Sequence, residues 1–136
     1  MLGVKNENMD IDNLSNDLSL LSTPDMERAC LSCLLVKPDA LTEMELQIKP
    51  DDFFIPHHKL LYTVLQKLFY RFLETQKTIV FDTVTVLEQI NLLGIRDEYL
   101  NSSKGFEYLE SLRIAGSLVD IQNINFYVKQ VKSASM

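Results

Sequence analysis

The sequence is poor both in residues that interrupt helices and in residues that build chemical sites. Its 136 residues include four glycines, four prolines, two cysteines, two histidines and no tryptophan. Few helix breakers combined with 46% apolar residues favour a compact helical fold, and this length suits one domain. We therefore predict an all-α domain, a compact bundle of about six helices.

Two further absences exclude whole classes of protein. No apolar run approaches the roughly 20 residues of a membrane span, and no basic stretch followed by an apolar one opens the sequence. The formal net charge is −6, whereas a non-specific nucleic-acid binder needs a basic face. These features predict a soluble, cytoplasmic protein with no membrane association and no direct nucleic-acid binding.

The patterns that usually carry catalysis are also absent. There is no GxxxxGK(S/T), GxGxxG, HExxH or GxSxG. Cys30 and Cys33 have the spacing of half a zinc site or a redox motif, but no second CxxC exists. His57 and His58 are adjacent, so on a helix they point about 100° apart. We predict buried core thiols, structural or surface histidines, and no catalytic, cofactor-binding or metal-binding residues in this chain.

The strongest helical signal lies in residues 49–74. Pro50 opens a turn and Pro56 suits the first turn of a helix. The apolar residues that follow form doublets repeated every fourth position, which cover more than half of the helix circumference and predict a central helix with several neighbours. These residues are Leu60, Leu61, Val64, Leu65, Leu68, Phe69, Phe72 and Leu73.

Caps and apolar spacing predict five other helices, over residues 23–37, 39–47, 83–93, 102–115 and 117–132. Asp82 is the predicted cap of the 83–93 helix. In the 83–93 helix the predicted inward side chains are Val84, Leu87 and Ile90, and Gly94 is predicted to end the helix. In the 102–115 helix they are Phe106, Leu109 and Leu112, and Gly116 is predicted to end it.

The last helix carries an apolar strip with the 3-4-3 spacing of a coiled-coil seam, formed by Ile121, Ile124, Val128 and Val131. Because the helix has few other apolar residues, the strip suggests a partner helix outside this chain. We predict that the strip, together with Tyr127, is a self-association or partner interface. The alternative is that the strip folds back on the domain itself.

Residues 1–22 are polar, rich in asparagine and acidic side chains. Leu14, Leu18 and Leu21 have the spacing of a helical turn, but the rest of the segment has little to bury. We predict a mostly disordered leader.

Five short blocks of residues occur in an order that defines a family. They are Asp25, Glu27, Ala29, Leu31, Leu34 and Leu35; Pro50, Asp52, Phe53, Phe54, His58, Leu61 and Tyr62; Phe81, Asp82, Val84, Thr85, Val86 and Gly94; Gly105, Tyr108, Leu109 and Leu112; and Asn123, Ile124, Tyr127, Val128, Lys129 and Val131. In this order they resemble the N-terminal domain of DnaB-type replicative DNA helicases, across residues 25–132. Ser32 stands where that family usually has glycine.

The resemblance implies a non-catalytic collar domain that mediates hexamer assembly and docks primase or a helicase loader during DNA replication. In that family a helical head, here residues 23–116, precedes a helical hairpin. Residues 117–136 resemble the first arm of the hairpin with a tail, and the second arm is missing. The implied partners are a second copy in a dimer, the copies of a hexameric ring in the full-length protein, and primase or a loader.

The family's motor domain, which would make the parent protein an ATP-dependent DNA helicase, has no counterpart here. We therefore expect no cofactor in this chain, and ATP and Mg only in such a motor. The alternative is a stand-alone helical adaptor or helicase-loading protein that shares the fold. A downstream reading frame encoding GxxxxGK(S/T) would support the helicase.

Overall fold

A computed structural model describes residues 23–102, 105–118 and 121–135. Seven α-helices occupy these ranges: α1 (Thr23–Val36), α2 (Leu41–Met44), α3 (Pro56–Thr75), α4 (Thr83–Leu92), α5 (Arg96–Ser102), α6 (Phe106–Leu118) and α7 (Ile124–Ser135). Short 3₁₀ turns lie at Pro38–Ala40, Pro50–Asp52 and Ile121–Asn123. No strand occurs among the described residues, and the all-α prediction is confirmed. The predicted leader, residues 1–22, lies outside them.

Helix α1 is the most enclosed element of the bundle. It packs most extensively against α6 and α7, and it also contacts α3. Residues 30–35 are buried without interruption, so this stretch has neighbours on every side. Helix α3 contacts α1, α4 and α5, as predicted for a central helix. Most of the apolar residues in its repeated doublets are buried in the core. The last residue of that pattern, Leu73, is half exposed.

Helix α4 is capped by Asp82, as predicted, and the Asp82 carboxylate accepts the backbone N–H of Thr85 at 2.6 Å. That hydrogen bond lowers the pKa of Asp82 below its usual value. Gly94 follows the helix with φ +72°, the left-handed conformation expected of a closing glycine.

The predicted inward face of α4 is wrong at Val84, which is 70% exposed. Ile90 is buried and Leu87 partly buried, as predicted, and Val86 is buried although it was not expected to be. Two polar contacts set the rotation at the start of the helix: Thr83 Oγ1 donates to Glu110 at 2.6 Å, and Arg113 donates to the carbonyl of Phe81 at 2.7 Å. These contacts with α6 turn Val84 outward.

Helix α5 was not predicted, and its residue Tyr99 is completely buried. The predicted start of the 102–115 helix is also wrong, because Ser102 is the last residue of α5 and the next helix begins at Phe106. In α6, Leu109 is buried as predicted, whereas Phe106, the first residue of the helix, is half exposed.

Gly116 does not end a helix. It lies inside α6, which continues to Leu118, and it faces α1. A Cβ atom at this position would lie 2.4 Å from the carbonyl oxygen of Ser32 and 3.0 Å from a methyl of Val36. Glycine is therefore required for the close crossing of α1 and α6.

Candidate functional site

A buried carboxylate connects α1 to the start of α3. Glu27 is fully buried, and its Oε2 accepts the backbone N–H of Phe54 at 2.6 Å. Its Oε1 accepts the N–H of Ile55 at 3.3 Å and lies 2.7 Å from Nδ1 of His58. The carboxylate thus binds unpaired donors at the positive end of a 20-residue helix.

The network continues from His58 to α6. The Nε2 atom of His58 is hydrogen-bonded to the hydroxyl of Tyr108, so the imidazole joins a carboxylate on one side to a phenol on the other. Burial raises the pKa of Tyr108 to about 12, which keeps the phenol protonated as the donor to Nε2. In the neutral tautomer with a proton on Nδ1, each of these atoms has a partner.

The order hydroxyl, imidazole, carboxylate is that of a nucleophilic triad, but the geometry does not support catalysis. Both Glu27 and His58 have no exposed surface, and the raised pKa of Tyr108 opposes formation of a nucleophilic phenolate. The network instead ties three helices together. Elsewhere in the described ranges, no three His, Cys, Asp or Glu side chains come together as possible metal ligands.

Cys30 and Cys33 lie in the core, as predicted. Both are fully buried and neither forms a disulfide. Burial raises the pKa of Cys30 well above its ordinary value, so the thiolate that binds metal or attacks a disulfide is disfavoured. The CxxC spacing here reflects packing in a helix.

The end of α7 is tied to the Pro50–Asp52 turn. Asp52 accepts the backbone N–H of Lys49 at 2.8 Å and the hydroxyl of Ser135 at 2.9 Å, and Lys132 Nζ lies 3.4 Å away. Burial alone would raise the pKa of Asp52, but these hydrogen bonds outweigh it and leave the pKa below its usual value. Asp52 therefore acts as a structural carboxylate.

An apolar groove opens between α4, α5 and the start of α6, with a volume of about 530 Å³. Its lining includes the apolar side chains of Val84, Leu87 and Phe106 and the charged side chains of Glu88 and Arg96. Val84 is 70% exposed and Phe106 is half exposed. Exposed apolar side chains around a hollow are typical of a protein-interaction surface.

The predicted interface strip on α7 is divided between the core and the surface. Val128 and Val131 are buried in the core, because α7 packs along α1. Ile124 and Tyr127 are partly buried against the same core. The side chain of Ile121 lies outside the described part of the chain. The partner helix suggested by the spacing is thus present within this chain, and a self-association role for the strip stays a prediction.

These features define an all-α domain in the described part of the chain. Among the described helices, none is long and apolar enough to cross a membrane. Residues 19–133 match the family model described as the DnaB-like helicase N-terminal domain, and the chain therefore belongs to that family. The N-terminal domain of DnaB is non-catalytic, and its motor domain is absent from these 136 residues.

A solved structure supports the fold. The N-terminal domain of DnaB helicase from Mycobacterium tuberculosis has a TM-score of 0.63 and 24% identity with this chain. The match covers 81% of this chain and 70% of that chain. At this identity the likeness establishes the shared fold alone. A comparison with curated proteins gives no match.

Proposed function

We propose that this chain serves as the collar domain of a cytoplasmic replicative DNA helicase, where it mediates ring assembly and docks primase or a helicase loader. The observation that carries the proposal is the family match across residues 19–133. The net charge of −6 agrees with protein partners rather than nucleic acid as the direct ligands. In this role the domain contributes binding surfaces to the primosome, and the chemistry belongs to a separate motor.

The groove walled by Val84, Leu87 and Phe106 is the surface we assign to docking. Its side chains would be removed from water by an apolar helix or loop of the primase or loader. Removal of such exposed apolar side chains from water favours binding by roughly 1.5–3 kcal/mol for each side chain that becomes fully buried. The charges of Glu88 and Arg96, which also line the groove, would set the orientation of the partner rather than its affinity.

Calorimetric titration of this chain with the primase and the loader encoded in the same genome tests the docking proposal. A double change of Val84 and Phe106 to Ser is expected to weaken binding by tenfold or more, since each loses over 1 kcal/mol of apolar burial. Leu46→Ser is the matched control, because Leu46 is 85% exposed and does not line the groove. Equal affinities of the two variants would refute docking at the groove.

We propose self-association through the outer side of α7, by Ile124 and Tyr127. Because Val128 and Val131 already lie in the core, the remaining apolar surface is small, and a weak dimer of micromolar or poorer affinity is expected. Light scattering over a concentration series should show a mass that rises in the parent protein. Tyr127→Asp should abolish the rise, and Gln130→Asp, an exposed change on the same helix, should not. A parent that stays monomeric would refute self-association through α7.

We also propose that the chain uses no nucleotide or metal cofactor, since its sequence has no P-loop. Purified protein is expected neither to hydrolyse ATP nor to unwind a forked duplex. Turnover that persists after a second, independent purification would contradict this.

A further inference from the structure

A second hollow opens beside the Pro50–Asp52 turn, between the start of α1 and the end of α7. Its volume is about 620 Å³, and its lining includes Asp51, Phe54, Lys59 and Ala134. It shares no lining residue with the groove between α4, α5 and α6. We call it the Phe54 hollow, because Phe54 is its most exposed large apolar side chain.

Phe54 is held at this hollow with 79% of its surface exposed. Its N–H donates to the buried carboxylate of Glu27 at 2.6 Å. The preceding Phe53 is buried, with its ring centroid 4.9 Å from that of Tyr62. Because these contacts fix the backbone, the Phe54 ring cannot enter the core without breaking them. A large apolar side chain on such a fixed backbone loses little conformational freedom when a partner covers it.

Two charged side chains that line the hollow have opposite signs and form no ion pair within the described ranges. They are Asp51 and Lys59. The remaining charge of the lining, Asp52, is already bound by Lys132 and Ser135. A partner surface of one sign would meet repulsion from one of the two free charges. A surface that carries both signs is instead complementary to a copy of itself.

The hollow is also continuous with the outer side of α7, through which we propose self-association. Ala134, at the hollow, lies seven residues after Tyr127 in the same helix. Seven residues make two turns, so the two side chains lie within about 20° of each other around the helix axis and about 10 Å apart along it. Ala134 is exposed, and Tyr127 keeps part of its surface exposed. One side of α7 therefore leads from Tyr127 to the Phe54 hollow.

We propose that the Phe54 hollow is one half of a two-fold contact between copies of this chain. In such a contact residue i of one copy meets residue j of the other, and j meets i. Asp51 of each copy pairs with Lys59 of the other, the two Phe54 rings meet between these pairs, and the outer side of α7 extends the contact. The inference rests on the self-association proposed for α7 and names its centre. Exposed ion pairs add little affinity, so the apolar surface supplies the attraction and the charges select the orientation.

The reciprocal charge pairing allows a direct test by light scattering over a concentration series. Asp51→Lys and Lys59→Asp each place like charges opposite each other in both pairs, so each variant alone is expected to associate about tenfold more weakly than the parent. An equal mixture of the two variants brings opposite charges together again and is expected to associate as the parent does. Glu74→Lys and Lys67→Asp are the matched controls, because both residues are exposed, neither lines the hollow and the net charges change by the same amounts. Neither control should alter association.

Removal of the Phe54 ring tests the apolar part of the contact. Phe54→Ser is expected to stay monomeric over the range in which the parent associates. Leu46→Ser, at another exposed apolar residue, should associate as the parent does. Circular dichroism shows whether each variant is folded, and the mixture of charge variants gives an independent answer if Phe54→Ser is not.

Each contrary result identifies the statement that fails. A mixture that associates no better than its two components would overturn the two-fold contact, and so would a folded Phe54→Ser protein that associates like the parent. If Tyr127→Asp abolishes association while Phe54→Ser does not, self-association through α7 stands and the Phe54 contact is refuted. A parent that stays monomeric would refute both, whereas the calorimetric test of docking at the groove between α4, α5 and α6 is independent of either.

Discussion

Replacement of Glu27 by alanine tests whether the buried network holds α1, α3 and α6 together. The carboxylate accepts three donors, from the backbone of Phe54 and Ile55 and from His58. Alanine supplies no acceptor, so all three donors lose their partner in a region where the replaced side chain had no exposed surface. The perturbation therefore removes hydrogen bonds that water can only partly replace.

The expected cost follows from the number of donors. A buried donor left without a partner costs about 1–3 kcal/mol, and three donors lose their acceptor here. Some water will enter the space of the missing side chain, so we take about 3–5 kcal/mol for the whole change. For a domain of this size the corresponding fall in Tm is about 10–20 °C.

Urea and thermal unfolding followed by circular dichroism measure this loss. The control is Glu43→Ala, the same change at an exposed position of α2, which is expected to alter stability by less than about 0.5 kcal/mol. If Glu27→Ala does not fold, Glu27→Gln keeps one acceptor oxygen and is expected to be destabilised by a smaller amount. A Glu27→Ala protein within about 1 kcal/mol of the parent would refute the structural role of the network.

Three other outcomes follow from the packing and the charges. Gly116→Ala is expected to lower stability in urea by about 1–3 kcal/mol, because the new methyl meets the backbone of Ser32, and a more stable variant would contradict this. The pKa of Asp52 is lowered in the folded protein. Its contribution to the free energy of unfolding is therefore complete above the pKa of the unfolded chain, about 3.9, and is lost as pH falls through the pKa of the folded protein. The stability difference between the parent and Asp52→Asn should therefore be present near neutral pH and vanish in acid; a difference independent of pH would contradict it. Cys30 and Cys33 should react with a thiol reagent only on unfolding, because both are buried. Cys30→Ser should lower the free energy of unfolding by about 1–3 kcal/mol. One zinc ion bound per chain would contradict the assignment of both residues as core thiols.

The helical fold could be predicted because its signals are local. Asp82 and Gly94 mark the two ends of one helix by their own side-chain and backbone chemistry, and the structure has both as predicted. Helix α5 was missed because seven residues are too few for an apolar period to show, although Asp97 and Glu98 in its first turn are typical of a helix start.

The side of each helix that faces the core, and the way in which two helices cross, were less predictable because they depend on residues distant in the sequence. Val84 fits an inward stripe by spacing, but contacts made by α6 rotate it outward. Gly116 has the sequence context of a closing glycine, and only the proximity of Ser32 shows that it is a packing residue. The burial of the two cysteines was predictable because they share an apolar stripe within a single helix.

The network around Glu27 had no local signal of its own. Its members are separated by 31 residues, from Glu27 to His58, and by 50 residues, from His58 to Tyr108. Periodicity within a helix carries no information on such pairs. All three residues do appear in the blocks shared with the DnaB family, so their order along the chain was visible before their contact was.

The position of α1 is fixed by two different kinds of contact on different neighbours. Hydrophobic burial around residues 30–35 is non-directional. On its own it leaves the rotation of α1 about its axis, and its position along that axis, poorly determined. Glu27 sets both through hydrogen bonds to the start of α3, and the steric contact at Gly116 sets the distance to α6. Because α7 and the Pro50–Asp52 turn pack against the same assembly, a change at either anchor should shift the relative placement of helices before it reduces helix content.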